Sequence, residues 1–132
     1  MAQSRSDKLK RLVTVQRHLE KMAEIDLATT ARQRREVAET MDVVVEAINS
    51  LDPVHRSFSR HYSGQYGKLQ QQEQMLANVQ EMHEMRLVRE RAKGDRMEDR
   101  MKEARSAEDR EAADDSIYDL IDQHIAYKGN DD

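Results

Sequence analysis

The sequence predicts an all-α fold: a long antiparallel two-helix coiled-coil hairpin, kinked near Pro53, with its turn near residues 63–67. Three observations carry that expectation. Charged residues make up 36% of the 132-residue chain and hydrophobic residues 37%. A compact globule needs an apolar share of about 45–50%, whereas a long helix needs only a narrow apolar stripe. Helix breakers are scarce, with one proline and four glycines, while the strong helix formers Ala, Glu, Arg, Gln, Leu and Met abound. Finally, Val37, Met41, Val44, Ile48 and Leu51 step alternately by four and three residues, the heptad spacing of a coiled-coil seam.

The first arm is expected over about residues 4–62. In "SRSD" Ser4 stands as N-cap and Asp7 follows three residues on, a variant of the capping box whose acidic group suits the positive end of the helix dipole. The stripe then passes through Leu9, Leu12, Leu19, Ala23, Leu27 and Thr30, with Gln16 and Arg34 as interruptions. The steps from Leu19 to Ala23 to Leu27 are four and four, a local insertion that relaxes the supercoil. Val43-Val44-Val45 has strand character, but its neighbours are helix formers and no second run exists to pair with it. Asp52 can cap and Pro53 can open a renewed helix, which places the kink. Val54, Phe58 and Tyr62 then carry the arm onward at four-residue spacing.

The second arm is expected over about residues 66–128, with the stripe Leu69, Met75, Leu76, Val79, Met82, His83 and Leu87. From Glu84 to Glu111 charge of both signs dominates, suiting a solvated helix laced with pairs such as Glu98 with Lys102. Its apolar content is thin and Gly94 weakens it further. The stripe recovers at Ala113, Ile117, Leu120, Ile121, His124 and Ile125, before the tail "KGNDD". A turn at Ser63–Gly67, made permissive by Gly64 and Gly67, leaves two arms of about 60 residues, each on the order of 90 Å long. Every stripe residue would then find a partner across a single hairpin domain spanning 1–132.

Composition excludes several functions. Without cysteine there is no disulfide, thiolate metal site or cysteine nucleophile. No apolar run is longer than that of Val43-Val44-Val45, far short of the ~20 residues of a membrane span, so a cytoplasmic chain without membrane insertion is expected. A net charge of −4 argues against nucleic acid as partner. The acidic excess lies in the second half, where Asp114, Asp115, Asp119 and Asp122 would lie alongside the basic start, Arg5, Lys8, Lys10, Arg11, Arg17 and Lys21.

No glycine-rich phosphate loop is present, and none of the five histidines forms a His-Glu-x-x-His pair or the paired Glu-x-x-His of a bundle di-iron site. Neither catalytic residues nor a cofactor or metal is expected. Met82, His83 and Met85 offer soft ligands, against the plainer reading that Met75, Met82, Met97 and Met101 fill seam gaps. Phe58, Tyr62 and Tyr66 gather three of the five aromatics around the turn. They either pin the turn or anchor a partner.

The stretches "SRSDKLKRLVTVQRHLEK" and "INSLDPVHRSFSRHYSGQYGKLQQQEQML" resemble the FliJ family of flagellar type III export proteins, the alphaproteobacterial branch above all. Leu9-Lys-Arg-Leu12 matches its Leu-x-Arg-Leu opening, and Asp52-Pro53-Val54-His55 its Asp-Pro-x-His segment. The resemblance implies a non-enzymatic coiled-coil stalk, similar to the central shaft of rotary ATP synthases. It would sit in the cytoplasm at the membrane-associated export apparatus. Its partners would be the hexameric export ATPase, the export-gate membrane protein and other export chaperones. The ATPase contacts it implies are Leu9, Arg11, Leu12 and Gln16 with Leu120, Ile121 and His124. The gate contacts are Tyr66, Leu69, Leu76 and Val79, joined at the tip by Phe58 and Tyr62. Gln70-Gln71-Gln72-Glu73 departs from the apolar residues such a gate site calls for.

Two other readings compete. One is a cytoplasmic dimerisation or scaffold coiled coil, or the stalk of an injection-type secretion system. The other is a helical metal module built on Met82, His83 and Met85.

Overall fold

The computed structural model describes residues 2–129. They form three helices and short connections, with no strand among them: α1 (Arg5–Ile48), α2 (Pro53–Ser57) and α3 (Ser59–Gly129). The expected all-α class holds, and Val43-Val44-Val45 lies inside α1. The last three residues of the expected tail, 130–132, lie outside the described residues. Among the described residues no helix is long and apolar enough to cross a membrane.

α1 begins where the sequence places it. The Ser4 hydroxyl accepts a hydrogen bond from the Asp7 backbone N–H at 3.2 Å, and the Ser4 carbonyl accepts from Lys8 N–H at 3.2 Å. These satisfy donors that a helix start leaves without intrahelical partners. α1 ends at Ile48, and Asp52, the residue preceding proline, is kept out of the helical region. Asp52 is extended, with φ −63° and ψ 130°, and its carboxylate caps α2 by accepting from Val54 N–H at 2.9 Å. Pro53 occupies the first turn of α2, where its missing N–H costs nothing.

The expected turn at residues 63–67 is corrected. Ser63 to Gly67 are helical, four residues and more inside α3. The helical course breaks instead at Asn49–Asp52 and again at Phe58, whose φ is −103° and ψ 8°. No described residue has a positive φ, so the left-handed freedom of Gly64 and Gly67 is not used. Proline geometry and an aspartate cap make the break. The expected arms over 4–62 and 66–128 therefore become helices of 44 and 71 residues.

Two compact units divide the chain. One is His18–Arg91. Within it α1 and α3 run antiparallel, since partners on α3 descend as those on α1 advance. Glu24 meets Arg91 at 3.1 Å, Asp26 meets Arg86 at 3.2 Å, and Arg34 donates to Glu73 at 2.9 Å and Gln80 at 3.1 Å. The other unit joins the chain up to Arg17 with the chain from Ala92 onward. There Arg17 reaches Asp95 at 3.0 Å and Glu98 at 2.6 Å, and Ser6 donates its backbone N–H to Glu108 at 3.0 Å. The expected Glu98–Lys102 pair is present at 3.9 Å.

Burial follows strict heptad alternation. On α1 an unbroken series of buried and half-buried positions runs Ser6, Leu9, Val13, Gln16, Glu20, Ala23, Leu27, Thr30, Arg34, Val37, Met41, Val44, Ile48. On α3 the matching series runs Tyr62, Tyr66, Leu69, Glu73, Leu76, Gln80, His83, Leu87, Glu90, Gly94, Met97, Met101, Ala104, Glu108. Steps of three and four alternate throughout, so the insertion expected at Leu19–Ala23–Leu27 does not occur. Leu12 and Leu19, assigned to the stripe by their apolar character, are 51% and 37% exposed. Gln16 and Arg34, expected as interruptions, are members of the series. Met75 and Met82 likewise lie exposed rather than filling the seam, whereas Met97 and Met101 are half-buried in it.

Candidate partner-binding surfaces

The seam series on α3 ends at Glu108, which meets the first turn of α1. The next seam positions at alternating three and four are Glu111, Asp115, Tyr118 and Asp122, and α1, which starts at Arg5, does not extend to face them. Every residue from 109 to 129 is exposed. The apolar residues of this stretch have changed phase. Ala113, Ile117, Leu120, Ile121 and His124 recur at three and four, but about half a turn round the helix from the position that Glu108 holds. The stretch is an amphipathic helix whose apolar face is not a continuation of the face that meets α1.

Glu108 marks the boundary. Its carboxylate accepts from both the backbone N–H and the hydroxyl of Ser6, in the first turn of α1. It thus supplies from α3 an anionic cap for a helix N-terminus, where negative charge is favourable. These two hydrogen bonds hold its carboxyl below the usual range, the side-chain bond contributing most. Glu24 is lowered in the same sense, first by the hydrogen bond from Arg91 and then by the charge of Lys21.

The residues implied as ATPase contacts separate into two groups. Leu12, Leu120 and Ile121 are exposed, the latter two at 65% and 48%, and Arg11 and His124 are exposed as well. Leu9 is half-buried and Gln16 is buried, at 5% exposure, both on the series that faces α3. The expectation that the acidic stretch from Asp114 to Asp122 would have its apolar stripe matched to α1 is corrected. α1 starts at Arg5 and its first turn is already held by Glu108, so no described helix lies against that stripe.

Around α2, Tyr62 is the hub of an aromatic group. Its hydroxyl is 3.2 Å from His55 Nδ1, and its ring centroid lies 5.9 Å from His55, 6.4 Å from Phe58 and 6.2 Å from His61, all tilted. Such geometry is favourable for aromatic pairs. Tyr62 therefore fastens α2 to the start of α3, while Phe58 stays 50% exposed. Tyr66, Leu69, Leu76 and Val79 are half-buried. Leu69 and Leu76 border a shallow groove with Val37 and Thr40 of α1.

Met75 and Met82, expected in the α3 stripe, lie with Met85 and Val88 on an outward, exposed stripe of α3. His83 between them is half-buried, so the methionines and the imidazole of the supposed metal module face different ways. Among the described residues no group of three or more His, Asp or Glu side chains could hold a metal ion. The signal for outward stripes was the excess of apolar residues over those that one strict heptad can absorb. Comparison with known proteins finds no matching family model, curated protein or solved structure.

Proposed function

We propose that this chain is a non-enzymatic helical coupling protein of a flagellar type III export apparatus, located in the cytoplasm at the membrane-associated export machinery. It binds the hexameric export ATPase through Arg11, Leu12, Leu120, Ile121 and His124. It binds the export-gate membrane protein through Phe58 and the half-buried residues Tyr66, Leu69, Leu76 and Val79. Other export chaperones are further partners. The reading draws on the resemblance carried by the Leu9–Leu12 and Asp52–His55 segments.

The single observation that supports it best is the exposed apolar face between Ala113 and His124, which no described residue covers. A helix face of this kind is a surface for protein contact. Co-purification with the export ATPase and enhancement of its hydrolysis are the expected results, together with loss of motility on deletion. Absence of binding at about micromolar concentration would overturn the proposal. Which ATPase co-purifies, flagellar or injection-type, separates the two secretion settings. The scaffold reading is favoured by one feature, the outward Leu19 and Met22 on α1. An obligate tetramer in solution would select it.

A further inference from the structure

We infer that the apolar face between Asp114 and His124 docks on α1 of a second copy of this chain, against Leu12 and Val15, and that the arrangement is reciprocal. The face is the one that the export reading gives to the ATPase, so the pair is the state of the free chain, and a second copy and the ATPase compete for it.

Four observations carry it. The face is not available to its own α1, because Ser6 is already held by Glu108 and the apolar residues beyond turn about half a helical turn away from that contact. Ile117, Leu120 and Ile121 are all about half exposed or more, an apolar stripe that water-facing helices do not ordinarily keep. α1 offers the matching surface in the same unit: Leu12 and Val15 are 51% and 59% exposed. Lys8 stands one turn before Leu12 and Arg11 one turn before Val15, both exposed.

Charge then selects the occupant. The docking stretch carries Asp114 one turn before Ile117, with Asp115, Asp119 and Asp122 on its other sides. Two such stretches laid on each other would bring together two acidic helices that carry no Lys or Arg from 111 to 127, which is unfavourable. An anionic membrane surface would repel the stretch for the same reason. The basic and apolar start of α1 attracts it. Because each copy has one stretch and one α1, reciprocal docking closes a two-fold pair without leaving either face open.

Sedimentation equilibrium of the full chain tests this. The expected result is a mass that rises with concentration from one chain to two. Leu120→Asp together with Ile121→Asp should weaken association by at least about tenfold. Since both side chains are exposed, helical circular dichroism should stay unchanged. Lys8→Glu with Arg11→Glu should weaken it too, and adding Asp114→Lys, at the one aspartate that flanks the face, should restore it. One-chain mass at every concentration up to about 1 mM overturns the inference. So does a dimer indifferent to the Leu120 and Ile121 changes, which would place the contact on another face. Failure of the charge exchange to restore association overturns the α1 docking site.

Discussion

Glu108 of α3 caps the first turn of α1 through Ser6, taking the backbone N–H at 3.0 Å and the hydroxyl as well. Five of the eight seam positions of α1 before Arg34 are polar or small, so apolar burial near this end is slight and the cap carries correspondingly more of the register. Its carboxyl, like that of Glu24, is held below the ordinary value of 4.5. A group with a depressed folded pKa contributes stability that is complete above its unfolded value and is lost as pH falls through the folded one. Thermal melts should therefore hold level above about pH 5 and decline below 4.5 as both carboxyls protonate. Glu108→Gln should be less stable than the parent at neutral pH and should lose part of that acid dependence. An unchanged acid profile in that variant would dissociate the cap from stability.

Gly64 and Gly67 are expected to be dispensable. Both lie within α3, neither has a positive φ, and a Cβ at either would meet nothing within 4 Å. Gly64→Ala and Gly67→Ala should each raise stability by roughly 0.5–1 kcal/mol, through helix propensity and a less disordered unfolded chain. Urea titration measures this. Destabilisation in either variant would show that the chain needs glycine there, as a turn would.

That pair also shows what was legible. Helical class, the Ser4 start, the Asp52–Pro53 break and the heptad from Val37 to Ile48 all follow from local chemistry, and the structure keeps them. The reversal was misplaced because glycine was weighed as a turn former although nothing nearby interrupts the helix, whereas proline acts on its neighbour whatever surrounds it. The seam of α1 was misphased because apolar type was followed in place of phase. Arg34 belongs to the seam by virtue of Glu73 and Gln80, which α3 brings to it and which no single-helix pattern contains. Of the candidate contacts, Leu12, Leu120 and Ile121 stand exposed, but the half-turn phase change after Glu108 becomes meaningful only once the paired length of α1 is known.

Arg34 fixes register at a polar layer. It donates to Glu73 at 2.9 Å and to Gln80 at 3.1 Å from a position where the heptad calls for an apolar side chain. Arg34→Ala removes the donor from both and should cost about 1 kcal/mol, modest because the pair is partly solvated. Arg34→Leu with Glu73→Leu should be neutral or stabilising in urea unfolding, since apolar residues replace a charged pair outright. The same double variant should populate more than one oligomeric state, because a buried polar layer sets register and partner number. A double variant as weak as the single one would contradict this account.

The last prediction sets a buried side chain against an exposed one on the same helix. Val44 is 7% exposed and belongs to the α1 seam, so Val44→Ala removes buried methyl groups and leaves part of their volume empty. The cost should be roughly 1–3 kcal/mol. Leu12 is half exposed and lies off the seam, so Leu12→Ala should leave stability within about 0.5 kcal/mol of the parent. Its effect should fall on association instead: weaker self-pairing in sedimentation and weaker capture of the proposed ATPase partner. If Leu12→Ala destabilised the helix pair as much as Val44→Ala, the assignment of Leu12 to an outward docking face would fail. The seam would then have to be redrawn through the apolar residues that the unaided sequence favours.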